Sequence, residues 1–168
     1  FCWVDLAAAS VPTARAFYEQ LFGWSAEPQP VGRGVFHRFL LDGAHNPAGA
    51  RALREFLDEF ESERPITIVF GAMEEKDAST MVSLLLPRAE LLILTESSNS
   101  RSMSAKDLMA QSPQNIGPEN VILTDSVEEA LAKAEARSVA NGLILVTGSL
   151  YLVGEVKKLL QNNATPEI

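Results

Sequence analysis

The stretch Leu40-Leu41-Asp42-Gly43-Ala44-His45-Asn46-Pro47-Ala48-Gly49 runs from a hydrophobic strand end through a short polar loop into a proline-opened helix. Asn46 is placed to cap that helix, and Pro47 to occupy its first turn, where a missing N–H leaves no bond unmade. An acid and an imidazole are thereby held at the carboxyl end of a strand, the edge at which open α/β sheets bind ligands. The same pattern repeats along the chain. Apolar, β-rich runs at residues 36–41, 66–70, 91–95, 121–124 and 143–147 alternate with helical periodicity at 47–60, 77–86, 104–109, 126–140 and 149–160. In the first helix Ala50, Leu53, Phe56, Leu57 and Phe60 form one stripe, and Arg51, Arg54, Glu55, Asp58 and Glu59 cover the rest. Asp125 or Ser126, and Ser149, stand where later helices need N-caps. Runs such as Ile66-Thr67-Ile68-Val69-Phe70 are continuously apolar, as strands are when helices cover both faces. The expected fold is a three-layer α/β domain built on a mostly parallel, Rossmann-like sheet of five βα units. Its carboxyl edge would carry Asp42, His45, Lys76, Arg101, Asp125 and Ser149, each following a strand of the same direction.

Composition narrows the possible functions. With 168 residues, 46% of them hydrophobic and 21% charged, the chain can fill one core and is too short for two ordinary catalytic domains. A net charge of −8, with 14 scattered basic residues, argues against a nucleic-acid surface, which needs clustered Lys and Arg. Cys2 is the sole cysteine, and the histidines are His37 and His45, so an internal disulfide, a thiolate metal site and a zinc site are all unexpected. No run approaches the roughly 18 apolar residues of a membrane span, and the start lacks the basic and apolar parts of a signal peptide. A cytoplasmic protein without a membrane partner is the expectation.

From residue 40 onward the sequence resembles the C-terminal domain of folylpolyglutamate synthase/dihydrofolate synthase, within the Mur ligase superfamily. Three motifs carry the resemblance in order: Asp42-Gly43-Ala44-His45-Asn46-Pro47, then Val69-Phe70-Gly71-Ala72-Met73 with Lys76-Asp77, then Val146-Thr147-Gly148-Ser149-Leu150-Tyr151. In that family the domain faces a separate P-loop ATPase domain, and the cleft between them joins glutamate to a folate-type carboxylate through an acyl phosphate, using ATP and magnesium. The resemblance implies nucleotide contacts at Asp42 and His45, with Lys76, Asp77 and Ser149 shaping the same edge. Family members usually carry a Pro-Arg-Ala-type sequence after the third core strand. Here the segment reads Thr95-Glu96-Ser97-Ser98-Asn99-Ser100-Arg101-Ser102-Met103-Ser104, so Arg101 still offers a guanidinium to a carboxylate or phosphate, on a loop without the proline's constraint.

Residues 1–35 resemble a different family. Cys2-Trp3-Val4-Asp5-Leu6 followed by Ala16-Phe17-Tyr18 and Leu21-Phe22-Gly23-Trp24 is similar to the opening strand and helix of the glyoxalase/bleomycin-resistance superfamily. Trp3 occupies the position where that resemblance implies a metal-binding histidine, so no glyoxalase-type metal site is expected. The two resemblances meet near residues 35–40, which suggests an engineered, recombined chain forming one compact domain, with Phe17, Leu21, Phe22 and Trp24 packed on the sheet.

Each site residue also has a purely structural reading. His45 could cap a helix or face solvent, and Asp42 could accept hydrogen bonds from its own loop. Lys76 and Asp77 could be a solvated helix start, and Ser149 an N-cap. No Gly-x4-Gly-Lys-Ser/Thr phosphate loop occurs in the chain, so the expectation is a catalytically incomplete protein that needs no cofactor. It would bind nucleotide or glutamate weakly at most. The alternative is the C-terminal part of a working ligase that acts with a separate P-loop domain.

Overall fold

The computed structural model describes residues 38–113, 117–139 and 141–163. Strand and helix alternate: β1 (Arg38–Leu41), α1 (Pro47–Phe60), β2 (Ile66–Phe70), α2 (Ala78–Leu85), β3 (Leu91–Leu94), α3 (Ala105–Gln111), β4 (Val121–Leu123), α4 (Val127–Arg137), β5 (Leu143–Thr147) and α5 (Leu150–Asn163). The strands described form one sheet in the order β1-β5-β2-β3-β4, and every pairing is parallel. This is the expected Rossmann-like α/β architecture. The strand, helix and apolar cluster expected within residues 1–35 lie outside the described residues.

The path of the chain explains the three layers. From β1 to β4 it steps in one direction across the sheet, leaving a gap beside β1 into which β5 later inserts. Right-handed crossovers put the helix on opposite faces when the direction of stepping reverses. Accordingly Leu53 and Leu57 of α1, Met81 and Leu85 of α2 and Leu108 of α3 share one core with Ile68, Phe70, Leu92, Leu94 and Leu145. Val127, Ala130 and Leu131 of α4 share the other with Leu152 and Val156 of α5 and with Val69, Ile93, Ile144 and Val146. Alternate residues of one strand thus enter opposite cores, which is why the central strands read as unbroken apolar runs.

Local chemistry starts each helix where the sequence signals it. Asn46 Oδ1 accepts from Gly49 N at 2.9 Å, Asp77 Oδ1 from Thr80 N at 3.0 Å, and Ser104 and Ser126 Oγ from Asp107 and Glu129 N at 3.2 Å. Each satisfies one N–H that the helix cannot, a contribution of about 1 kcal/mol. The fourth helix is shorter than the periodicity predicts. It stops at Arg137 because Ser138 turns extended and its hydroxyl bonds Thr67 Oγ1 at 2.7 Å. β4 also departs from a buried run: it lies at the end of the strand order, and Leu123 is exposed. Among the described residues no helix is long and apolar enough to cross a membrane.

Asp77 gives the fold an acid-sensitive contact. The Thr80 backbone N–H, and then the Thr80 side chain, hold its carboxyl below the ordinary value of 3.8. A depressed native value means that the cap contributes fully above the unfolded pKa and is lost as pH falls through the lowered one. Protection of the Thr80 amide from hydrogen exchange, relative to mid-helix amides, should therefore fall only below about pH 4. In Asp77→Ala that acid step should vanish; a step that persists would remove Asp77 as its source.

Candidate functional site

The loop after β1 is wound on itself. Asp42 N continues the sheet by donating to Val146 O at 3.0 Å, while Asp42 Oδ1 accepts from Ala44 N at 2.7 Å. His45 Nδ1 lies 2.8 Å from Gly43 O. A carbonyl can only accept, so Nδ1 carries the proton and a neutral His45 presents Nε2 as an acceptor. Asp42 Oδ2 and His45 Nε2 have no hydrogen-bond partner among the described residues. Both half-buried side chains border a cleft of about 500 Å³ between this loop and α1, with Leu53 and Phe56 as its apolar wall and Asn46 and Gly49 at its rim. A few polar groups converging on an apolar wall is the usual make-up of a small-molecule site.

The neighbouring strand fixes this loop from below. Ala44 O accepts from Gly148 N at 3.0 Å, tying the β1 loop to the turn between β5 and α5. Gly148 has φ +100°, and a Cβ there would overlap the Gly71 carbonyl oxygen and come within 2.7 Å of the Phe70 ring. At Gly43 an added Cβ would meet Leu150 Cδ2 at 2.8 Å. The β2 and β5 ends therefore meet at Gly148 through a backbone approach that a side chain would block, whereas at Gly43 the obstacle is only the end of the Leu150 side chain.

The remaining candidates divide by position. Ser149 is buried and caps α5, its Oγ accepting from Tyr151 N at 3.2 Å while lying 3.6 Å from Met73 Sδ. It stands between the β1 loop and the β2 loop, because β5 separates those strands. Asp77 is exposed and caps α2, and Lys76 begins the same turn with its N–H donated to Met73 O. Arg101 projects from the β3 loop, with Nη1 3.7 Å from Glu75 Oε1. The β2 and β3 loops are joined there by Glu74 N donating to Arg101 O at 3.0 Å. Asp125 follows β4 at the far end of the row. The topology thus places all these residues on one edge, but only Asp42 and His45 share the cleft. Among the described residues no group of three or more His, Cys, Asp or Glu is arranged to hold a metal ion. Sequence reasoning missed Glu155, on α5, whose Oε1 accepts from both the N–H and the hydroxyl of Ser98 at 2.8 Å. Fifty-seven residues separate the two, and no local pattern links them.

Residues 29–150 match the Mur ligase, glutamate ligase domain family. The chain belongs to that family. A probable bifunctional folylpolyglutamate synthase/dihydropteroate synthase of Halobacterium salinarum is 39% identical over 118 residues, covering 70% of this chain and 14% of the relative. The folylpolyglutamate synthase of Lacticaseibacillus casei is 28% identical over 168 residues, 91% of this chain and 37% of its own. Among solved structures, E. coli FolC in complex with DHPP and ADP superposes with a TM-score of 0.68 at 21% identity, over 82% of this chain and 32% of that one, a likeness of fold. This member of the Mur ligase family therefore spans between 14% and 37% of the length of these proteins.

Proposed function

We propose that this chain is the C-terminal, glutamate-ligase domain of an ATP-dependent folate- or dihydropteroate-type glutamate ligase, and that it supplies one wall of an active cleft completed by a P-loop domain. The observation that carries this reading is the β1 loop: a family motif in which Asp42 and His45 line one cleft, with Asp42 Oδ2 and His45 Nε2 unpartnered among the described residues. The recombined origin considered above has less support, since the match to the L. casei synthase covers 91% of the chain, a share that residues 36–168 cannot fill by themselves.

The residues present fit part of a nucleotide site. Asp42 Oδ2 can accept from ribose hydroxyls or an exocyclic amine, and the His45 ring can accept at Nε2 or lie against a base. Asp42 is the one carboxylate among the described residues lining the cleft, so magnesium there would be held chiefly by water and phosphate oxygens. ATP, when bound, supplies the phosphoryl group that activates a carboxylate. This chain's part is to orient the nucleotide from one side and, through Arg101, to offer a planar pair of donors to a carboxylate.

Two measurements test the reading. The chain alone should hydrolyse no ATP, and Mg-ATP titrated against it should shift the His45 resonances with a dissociation constant no tighter than about 1 mM, since one wall leaves the nucleotide largely hydrated. Mixed with the N-terminal P-loop domain of a folylpolyglutamate synthase, it should restore ATP-dependent transfer of labelled glutamate, reduced at least about tenfold in Asp42→Ala. No transfer with a P-loop domain that works with its own partner domain would overturn the assignment and leave a vestigial edge.

A further inference from the structure

The β3 loop, residues 95–104, carries two opposed features. Ser98 gives both its backbone N–H and its hydroxyl to Glu155 Oε1 at 2.8 Å, fastening the outer side of the loop to α5. One residue earlier, the Ser97 hydroxyl oxygen is buried without a hydrogen-bond partner among the described residues. A carboxylate acceptor makes each Ser98 bond stronger than a neutral one, whereas burying an unpaired hydroxyl opposes the arrangement that buries it. The loop has no proline to restrict it.

From this juxtaposition we infer that the β3 loop is a latched strap: Glu155 holds it in the position seen here against the cost of burying Ser97, and the latch sets where Arg101 projects. The connection to Arg101 is continuous. Ser97 N donates to Ser102 Oγ at 2.9 Å, Ser102 N to Asn99 O at 2.8 Å, Arg101 N to Asn99 Oδ1 at 3.0 Å, and Glu74 N to Arg101 O at 3.0 Å. The strap therefore moves as a unit, and release of Ser98 frees Ser97 to reach water or a ligand while displacing the guanidinium. Glu155 is a positioning residue in this scheme. The consequence for a bound carboxylate rests on the function proposed above; the latch itself does not.

The test compares variants of the full chain whose effects run in opposite directions. In Glu155→Ala, hydrogen exchange at the amides of Ser97, Arg101, Ser102 and Glu74 should accelerate about tenfold, the Arg101 Nε–H resonance should shift, and the amides of α4 should be unchanged. Glu155→Gln, which keeps an acceptor oxygen, should recover most of the protection. Ser97→Ala, which removes the unpaired hydroxyl, should slow exchange at the same amides. Unchanged loop exchange in Glu155→Ala, equal acceleration throughout the domain, or faster exchange in Ser97→Ala would each overturn the latch. If the latch behaves as stated but glutamate transfer with the P-loop domain is the same in Glu155→Ala and the parent chain, the role given to Arg101 is rejected while the latch stands.

Discussion

Replacing Gly148 with alanine is expected to destabilise the domain by about 3–5 kcal/mol. Backbone strain at φ +100° contributes roughly 1–3 kcal/mol for a residue with a side chain, and forcing a methyl group into a filled core adds a similar amount. The new Cβ would overlap the Gly71 carbonyl oxygen, which belongs to the backbone and cannot turn aside as a side chain can. Gly71 N donates to Thr147 O at 3.3 Å, so relief requires parting β2 from β5 at their carboxyl ends. The displacement would also reach the cleft, because Gly148 N holds Ala44 O. Urea denaturation should show the loss directly, with melting lowered by roughly 10 °C for a domain of this size. A change under about 1 kcal/mol would mean that the turn relaxes freely and that the three-loop contact is not rigid.

Phe70→Ala is expected to cost a similar amount, about 3–5 kcal/mol, for a different reason. Phe70 is fully buried in the last position of the central strand β2, on the face that packs against α1, α2 and α3. Truncation removes apolar burial and leaves a cavity that a two-sided core cannot readily close. The two changes should not add. Phe70 ring atoms lie within 2.9 Å of where the Gly148 Cβ would stand, so removing the ring relieves part of the Gly148→Ala clash but leaves the one with Gly71 O. A double-mutant cycle should give a favourable coupling of about 1 kcal/mol. Strict additivity would show that the ring is not what excludes a side chain from Gly148.

Much of the candidate site could be read from the chain because its determinants are local. Asn46-Pro47 announces the start of α1, and Asp42, two residues from the Ala44 N–H it accepts, closes a turn that short acidic side chains favour. Asp77 and Ser149 turn out to cap helices, the structural role open to each of them, and both lie on the carboxyl edge of the sheet because helix starts follow strand ends there. Capping and ligand binding call for the same residue types at this edge, so an Asp or Ser at a helix start reads alike for either role.

What the sequence by itself determined is the succession of elements: apolar runs of strand length, helical stripes with caps, and hence a parallel sheet with ligand-competent loops on one edge. These follow from side-chain periodicity and from bonds spanning two to four residues. Only the tertiary structure decided that β5 enters between β1 and β2, which brings Gly148 beneath the Asp42–His45 loop and sets Ser149 between the β1 and β2 loops. It likewise decided that Glu155 reaches Ser98 and leaves the Ser97 hydroxyl unpaired among the described residues. The physical reason is that parallel pairing and helix-to-loop contacts join residues far apart in the chain. Their energies depend on packing against both faces at once, and no local pattern encodes that.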